Sequence, residues 1–166
     1  RDMSYAYWTL GMISSNIEEY IKSEDYFNES LNIGLELGDR QVQAYALSGL
    51  SETARLQGKL PKALDLIDEA IRRRDLPLEN QALIELLMQR VSIYIELKNF
   101  ELAKNDLEVY LLPKIEKLKY NYYLTHVCFY LLIVYEKLDR NIFESYLEKT
   151  STLINENNYF FFLNQQ

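Results

Sequence analysis

The sequence predicts an all-α protein, an α-α superhelix (solenoid) of four antiparallel helix pairs. One observation is composition: the 166 residues include only five glycines and three prolines and are rich in Leu and Glu, which favours helices over sheets. The other observation is a repeat, because residues of similar size recur at intervals of 40 positions. Such a repeat predicts helical hairpins that bury their apolar faces by stacking on their neighbours.

Two sets of positions define the repeat. The first set holds small residues in three of its four copies: Ser23, Ala63, Ala103 and Phe143. The second set lies four residues further on and is large and apolar throughout: Phe27, Ile67, Leu107 and Leu147. A small residue lets two helices approach closely, and a large one fills the groove between them. Because Phe143 breaks the pattern, we expect the fourth pair to pack differently or to end the array.

The repeat units cover residues 4–43, 44–83, 84–123 and 124–163, and each contains two stretches with the spacing of a helix face. The predicted helices cover residues 4–17, 21–37, 40–57, 61–74, 79–97, 101–117, 121–138 and 141–157. We expect one array, 1–166. Since the chain starts at Arg1 rather than Met, we also expect it to be a segment of a longer multidomain protein.

Residues that favour the end of a helix lie between the predicted helices. Unit 1 ends its second helix at residues 37–39, where Gly38 suits a left-handed cap. Gly58 separates the two helices of unit 2, and Pro61 suits the first turn of the next helix. The remaining turns are predicted at residues 75–77, 98–99 and 138–141.

Charge and motifs exclude several function classes. The 25 acidic and 18 basic residues give a net charge of −7, so nucleic acid is not the expected partner. With one cysteine, Cys128, and one histidine, His126, a disulfide framework, a metal site or a Cys/His nucleophile is hard to assemble. Phosphate-binding, dinucleotide-binding and hydrolase motifs are absent from the sequence. We therefore predict no catalytic residue, no cofactor and no metal.

The longest apolar run, residues 127–135, is too short for a membrane span, which needs about 20 residues. We therefore expect no membrane partner and a cytoplasmic location.

Unit 1 carries a characteristic series of residues: Leu10-Gly11, Ser14, Tyr20, Ser23, Phe27 and Ser30. This series resembles one tetratricopeptide repeat (TPR), and the segment 57–64 resembles the turn and second-helix start of such a repeat. The resemblance covers residues 4–157, with a 40-residue period in place of the usual 34. It implies a right-handed superhelix whose first helices line a concave face that binds peptides or proteins.

A narrower resemblance concerns the tail. Residues 147–163 are similar to the end of the sensor array in LuxR-type, maltose-regulator-like transcription activators, although Asn158 stands where that family has Gly. The apolar residues 159–163 are expected to fold back on unit 4 or to dock on another chain, so self-association through the tail or the array ends is expected.

The TPR resemblance implies an inward face on the first helix of each unit. The predicted binding residues on these faces are Tyr5, Trp8, Met12, Tyr45, Ser48, Glu52, Arg55, Met88, Ser92 and Tyr135. In unit 3 the face also includes Glu85 and Gln89. Trp8 is the expected anchor, since Trp dominates many interfaces. The positions that match the carboxylate clamp of chaperone-tail-binding arrays carry no Lys, Asn or Arg, so a cationic or apolar peptide fits better. Plain contacts between neighbouring helices stay open as the alternative.

We therefore predict a non-catalytic scaffold that binds a protein or peptide. Its expected setting is the ligand- or partner-sensing domain of a bacterial transcriptional regulator or signalling protein. A structural adaptor for complex assembly and a peptide-pheromone receptor of a quorum-sensing regulator stay open.

Overall fold

A computed structural model describes residues 1–73 and 81–156. Its regular elements there are all helical, in this order: α1 Asp2–Asn16, α2 Tyr20–Glu36, α3 Arg40–Leu56, α4 Leu60–Arg73, α5 Gln81–Glu96, α6 Phe100–Asn105, a π-helical segment Asp106–Leu111, α7 Leu112–Leu118, α8 Asn121–Leu138 and α9 Arg140–Glu156. The segment between α6 and α7 joins them without a break. The all-α fold is confirmed, and the predicted helix ends that fall on described residues lie within about two residues of the observed ones. The predicted ends at residues 74, 79 and 157 and the predicted turn at 75–77 lie outside the described residues.

The chain divides into two compact units, Arg1–Ile93 and Tyr94–Gln166. In the first unit α1 packs on α2, α2 on α3 and α3 on α4, so elements adjacent in sequence are adjacent in space. In the second unit α8 packs against α6, α7 and α9. That residues 1–166 form one array stays a prediction.

Left-handed residues end several of the helices. The φ angles of Glu18, Gly38, Gly58 and Lys98 are 63°, 62°, 72° and 60°, and these residues are 20 or 40 positions apart. Lys119, with a φ angle of 55°, ends α7 in the same way, 21 positions after Lys98. In each turn the next residue donates its N–H to the carbonyl five residues back, as from Asp39 N to Gly34 O at 2.9 Å. Both features define the Schellman motif, which satisfies the last carbonyls of a helix.

The repeat positions are buried where the pattern holds. Ser23, Ala63 and Ala103 are fully buried, and so are Phe27, Ile67 and Leu107. The fourth copy differs, because Phe143 is half-buried and Leu147 is exposed. The break in the pattern at Phe143 therefore coincides with a change in packing.

Buried hydroxyl groups tie the first three helices together. Ser23 on α2 donates to the carbonyl of Gly11 on α1 at 2.9 Å, and its Oγ lies 2.9 Å from Thr53 Oγ1 on α3. Thr53 Oγ1 also lies 3.0 Å from the carbonyl of Gly49. Ser23 uses its one proton on the Gly11 carbonyl, so the single proton of Thr53 goes either to Ser23 Oγ or to the Gly49 carbonyl, and each buried hydroxyl has a hydrogen-bond partner.

Candidate binding groove

A groove of about 410 Å³ opens on the side of the first unit that α1, α3 and α5 share. Its lining residues are Tyr5, Trp8, Tyr45, Ser48, Ala82, Glu85, Leu86 and Gln89. A smaller groove of about 170 Å³ shares Trp8, Ser48 and Gln89 with it and adds Met12, Gly49 and Glu52. The two form one concave strip, and we call it the aromatic groove.

Helix periodicity explains why these side chains meet. Tyr5, Trp8 and Met12 follow one another at intervals of three and four on α1, which places them on one face. Forty residues later, Tyr45, Ser48 and Glu52 repeat that spacing on α3. Because α1 and α3 are equivalent first helices of successive hairpins, their equivalent faces adjoin.

The aromatic side chains of the groove stay partly open to solvent. The ring centroids of Trp8 and Tyr45 are 6.2 Å apart, with the ring planes tilted by 57°. Both residues are half-buried, and Tyr5 is 41% exposed. Large aromatic surface in a concavity is typical of ligand and protein binding sites.

A reciprocal pair of hydrogen bonds forms the polar floor of the groove. The Ser48 hydroxyl donates to Gln89 Oε1 at 2.6 Å, and Gln89 Nε2 donates to the Ser48 carbonyl at 3.0 Å. The pair joins α3 to α5 and fixes the orientation of the Gln89 amide. Arg90, the next residue on α5, is held to Asp68 on α4 by an ion pair of 2.9 Å.

The charges of the groove are carried by two glutamates. Glu85 is exposed and accepts a hydrogen bond from Gln81 Nε2 at 3.2 Å. Glu52 receives two hydrogen bonds from Arg55, at 2.9 and 2.7 Å, so these two charges largely offset each other. Among the described residues that line the larger groove, Glu85 is the one with a formal charge.

The structure brings six of the predicted binding residues together. They are Tyr5, Trp8, Met12, Tyr45, Ser48 and Glu52. Arg55 stands beside them through its pair with Glu52. Met88 and Ser92 are half-buried and do not line either groove, and Ser92 Oγ donates to the Gln89 carbonyl instead. Ala82 and Leu86 line the groove in their place and were missed, although the predicted face included their neighbours Glu85 and Gln89.

Tyr135 lies in the second unit, where its side chain is buried. Its hydroxyl donates to a Glu108 carboxylate oxygen, and its ring stacks on Tyr146 with centroids 5.5 Å apart. Burial, followed by the hydrogen bond to Glu108, raises the pKa of Tyr135 well above its usual range. These contacts make Tyr135 part of the packing of the second unit.

The structure also places His126 and Cys128, the one histidine and the one cysteine of the sequence. His126 Nδ1 lies 2.9 Å from the Tyr122 carbonyl, and burial raises the pKa of the Cys128 thiol. Residues 1–73 and 81–156 hold no group of three or more side chains suited to bind a metal. In the same residues no helix combines the length and apolar character needed to cross a membrane. The apolar tail, 159–163, lies outside the described residues.

Comparison with known proteins agrees with the helical-repeat fold. Residues 2–75 match the family model of the tetratricopeptide repeat. No curated protein matches the chain. Among solved structures, the chain is similar to the nearly identical TPR-like repeats of a protein described as a kinesin light chain, from Podosopora anserina. The identity is 10%, the match covers 96% of this chain and 99% of that one, and the TM-score is 0.64.

These findings confirm the resemblance to the tetratricopeptide repeat and the fold class, a TPR-like helical solenoid. At 10% identity the structural likeness concerns the fold alone. Repeats of this family generally mediate protein–protein interactions and typically serve as non-catalytic scaffolds.

Proposed function

We propose that this chain, with its TPR-like fold, is a non-catalytic module that binds a segment of a protein or a peptide in the aromatic groove. One observation carries the proposal: Tyr5, Trp8 and Tyr45 converge on a concavity of about 410 Å³ and remain partly exposed. Aromatic residues in concave, part-buried positions supply large contact area at low entropic cost and dominate binding energy at interfaces.

The test uses the intrinsic fluorescence of Trp8, the only tryptophan of the chain. A random library of displayed peptides about twelve residues long is selected against the immobilised protein, and the recovered peptides are titrated. We expect these peptides to change Trp8 emission. In polarisation measurements with labelled peptide, Trp8→Ala should weaken binding by about tenfold or more, as for a central interface tryptophan.

Leu35→Ala is the matched control, because Leu35 lies on α2, is 49% exposed and does not line the groove. It should leave the affinity unchanged. Peptides that bind Trp8→Ala as tightly as the unaltered chain would show that the groove is not the binding site.

The setting that we propose is the partner-sensing domain of a bacterial transcriptional regulator or signalling protein in the cytoplasm. The resemblance of residues 147–163 to the sensor array of LuxR-type activators supports it. The sequence of the whole gene is the test: a helix-turn-helix domain would support a transcriptional regulator, and a catalytic signalling domain would support a signalling protein. A gene made only of helical repeats would favour the structural adaptor.

A second copy of this chain is a further proposed partner, bound through the first helix. Met3, Leu10 and Ile13 on α1, with Ile17 directly after its end, form a stripe of exposed apolar side chains, which we call the α1 stripe. Forty residues on, the equivalents Gln43, Leu50 and Thr53 are buried on α3, where Thr53 meets Ser23 of α2. The same face is therefore covered in one hairpin and open in the other, which favours a helix of another copy as its cover.

A further inference from the structure

We infer that the aromatic groove selects a positively charged side chain, so that its protein partner presents an arginine or a lysine there. This inference rests on the proposed function, because it names the chemistry of the segment that the groove binds. It follows from three features of the lining: its charge, its aromatic faces and the arrangement of α5.

The charge of the lining favours a cation. Of the eight described residues around the larger groove, Glu85 alone has a formal charge, and it is negative. In the adjoining smaller groove, Glu52 is balanced by Arg55 at 2.7 Å. An acidic partner side chain would therefore meet a like charge, whereas a basic one would meet an opposite charge. The net charge of −7 on the whole chain acts in the same direction at long range.

The aromatic walls add a second attraction of the same sign. Cations are drawn to the faces of aromatic rings within about 6 Å of the centroid, and tryptophan is the strongest such partner. Trp8 and Tyr45 both line the groove, with ring centroids 6.2 Å apart, so a cation bound in the groove lies beside two aromatic rings. Tyr5, on the same wall, is open enough to contact the same group.

The arrangement of α5 fits the shape of a long basic side chain. Ala82 and Leu86 are buried apolar residues on either side of Glu85, one turn or less away along the helix. Lysine and arginine bury their aliphatic stems along apolar surface and keep the charged head at a polar edge. The part-exposed rings of Trp8 and Tyr45, opposite α5, offer that surface, and the exposed Glu85 carboxylate offers that edge.

The experiment compares peptide selection on the unaltered chain with selection on Glu85→Gln and Glu85→Lys, using the same displayed random library. We expect arginine and lysine to be enriched in peptides from the unaltered chain and not in peptides from Glu85→Lys. Glu85→Gln keeps the shape and removes the charge, so it should weaken the selected peptides about fivefold and reduce their salt dependence. The matched control is Glu29→Gln, because Glu29 is exposed and lies on α2, away from the groove. It should change neither the affinity of the selected peptides nor the salt dependence of their binding.

A second arm changes the peptide. Norleucine in place of the enriched basic residue keeps the aliphatic stem and removes the charge. This change should lower the affinity of the peptide for the unaltered chain and should hardly alter its affinity for Glu85→Gln. Trp8-dependent peptides with apolar or acidic anchors, unaffected by Glu85→Gln, would overturn the inference and leave the proposed groove intact. Peptides whose binding does not depend on Trp8 would overturn the proposed function itself.

Discussion

The ring of Phe27 lies so close to Gly49 that a Cβ atom at position 49 would be 2.3 Å from Phe27 Cε1. Gly11 approaches the same ring from α1, where a Cβ would be 2.7 Å from that atom. Phe27 is fully buried, and Gly49 lines the smaller part of the aromatic groove. One aromatic side chain of α2 therefore sets how closely α1 and α3 approach beneath the groove.

Gly49→Ala is expected to destabilise the protein by about 1–3 kcal/mol, because the new methyl group overpacks the Phe27 ring. The better helix propensity of alanine, worth about 1 kcal/mol, offsets only part of that loss. Urea denaturation gives the free energy of unfolding. In a Phe27→Leu background the ring is gone, so the same alanine should cost less. An equal cost in both backgrounds would contradict the contact.

Glycine at two of the three non-glycine left-handed positions of the described residues, Glu18 and Lys98, is expected to stabilise the fold. Glu18 and Lys98 have φ of 63° and 60°, a conformation that costs residues with a Cβ about 1–2 kcal/mol. Glu18→Gly and Lys98→Gly should each raise the free energy of unfolding by about 0.5 kcal/mol, after the entropy lost by glycine. Gly38→Ala should lower it, since nothing lies within 4 Å of the added Cβ and backbone strain is the remaining effect. Thermal unfolding that ranks the three variants otherwise would contradict the Schellman turns.

Asp39 caps the N-terminus of α3, and the stability that its charge contributes should be present at neutral pH and lost in acid. Its Oδ1 accepts from the N–H groups of Gln41 and Val42 at 3.1 and 3.2 Å, and Arg1 pairs with its Oδ2 at 2.7 Å. Burial opposes ionisation, but these partners together lower the pKa of Asp39 below its usual range. Asp39→Ala should cost about 1 kcal/mol at neutral pH.

The sign of the pH effect follows from the lowered pKa. The stabilisation by the Asp39 charge is present above the pKa of the unfolded chain, about 4, and is lost as the pH falls through the folded value. Asp39→Asn keeps a cap acceptor and removes the charge, so its deficit relative to the unaltered chain should shrink in acid. A deficit that is constant with pH would exclude a role for the charge.

Tyr146 should make the second unit sensitive to alkali. Burial, then the Glu108 charge, raises its pKa to about 12. A neutral acid whose pKa is raised on folding contributes stability below the unfolded value, about 10, and loses it as the pH rises to the folded value. Unfolding followed between pH about 10 and about 12 should therefore show a loss of stability that is smaller in Tyr146→Phe. Tyr110→Phe, at an exposed position, should behave like the unaltered chain.

The α1 stripe should control self-association. Leu10→Lys combined with Ile13→Lys replaces two exposed apolar side chains by charges that repel across a contact between copies. Sedimentation equilibrium should show a dimer for the unaltered chain and a monomer for the double variant. Leu56→Lys, at an exposed position on α3, is the control and should leave the dimer intact. An unaltered chain that is monomeric at high concentration would contradict the proposed contact.

The helices and half of the groove could be predicted from the sequence because both depend on local order. Side chains on α1 and α3 share a face by simple periodicity, and Trp8 and Tyr45, which periodicity groups together, line the same groove. On α5 the groove is lined by Ala82 and Leu86 and not by Met88 or Ser92, because the rotation of a helix depends on contacts distant in sequence, such as Arg90 with Asp68.

Two features of the second unit, the burial of Tyr135 and the π-helical segment, could not be predicted from helix periodicity. The burial of Tyr135 depends on Glu108 and Tyr146, partners that periodicity on α8 alone does not indicate. The π-helical segment was not predicted, although Pro113 follows it closely. Proline lacks an N–H and clashes with the carbonyl four residues back, here that of Val109, so a widened turn relieves the conflict.

The spacing of the left-handed residues makes the protein sensitive to insertions. One residue added inside α2 would turn everything after it by about 100° about the helix axis. Tyr45 would then leave the side on which Trp8 stands, even though no groove residue had been replaced. Segment length, as much as side-chain identity, is thus part of what the recognition surface requires.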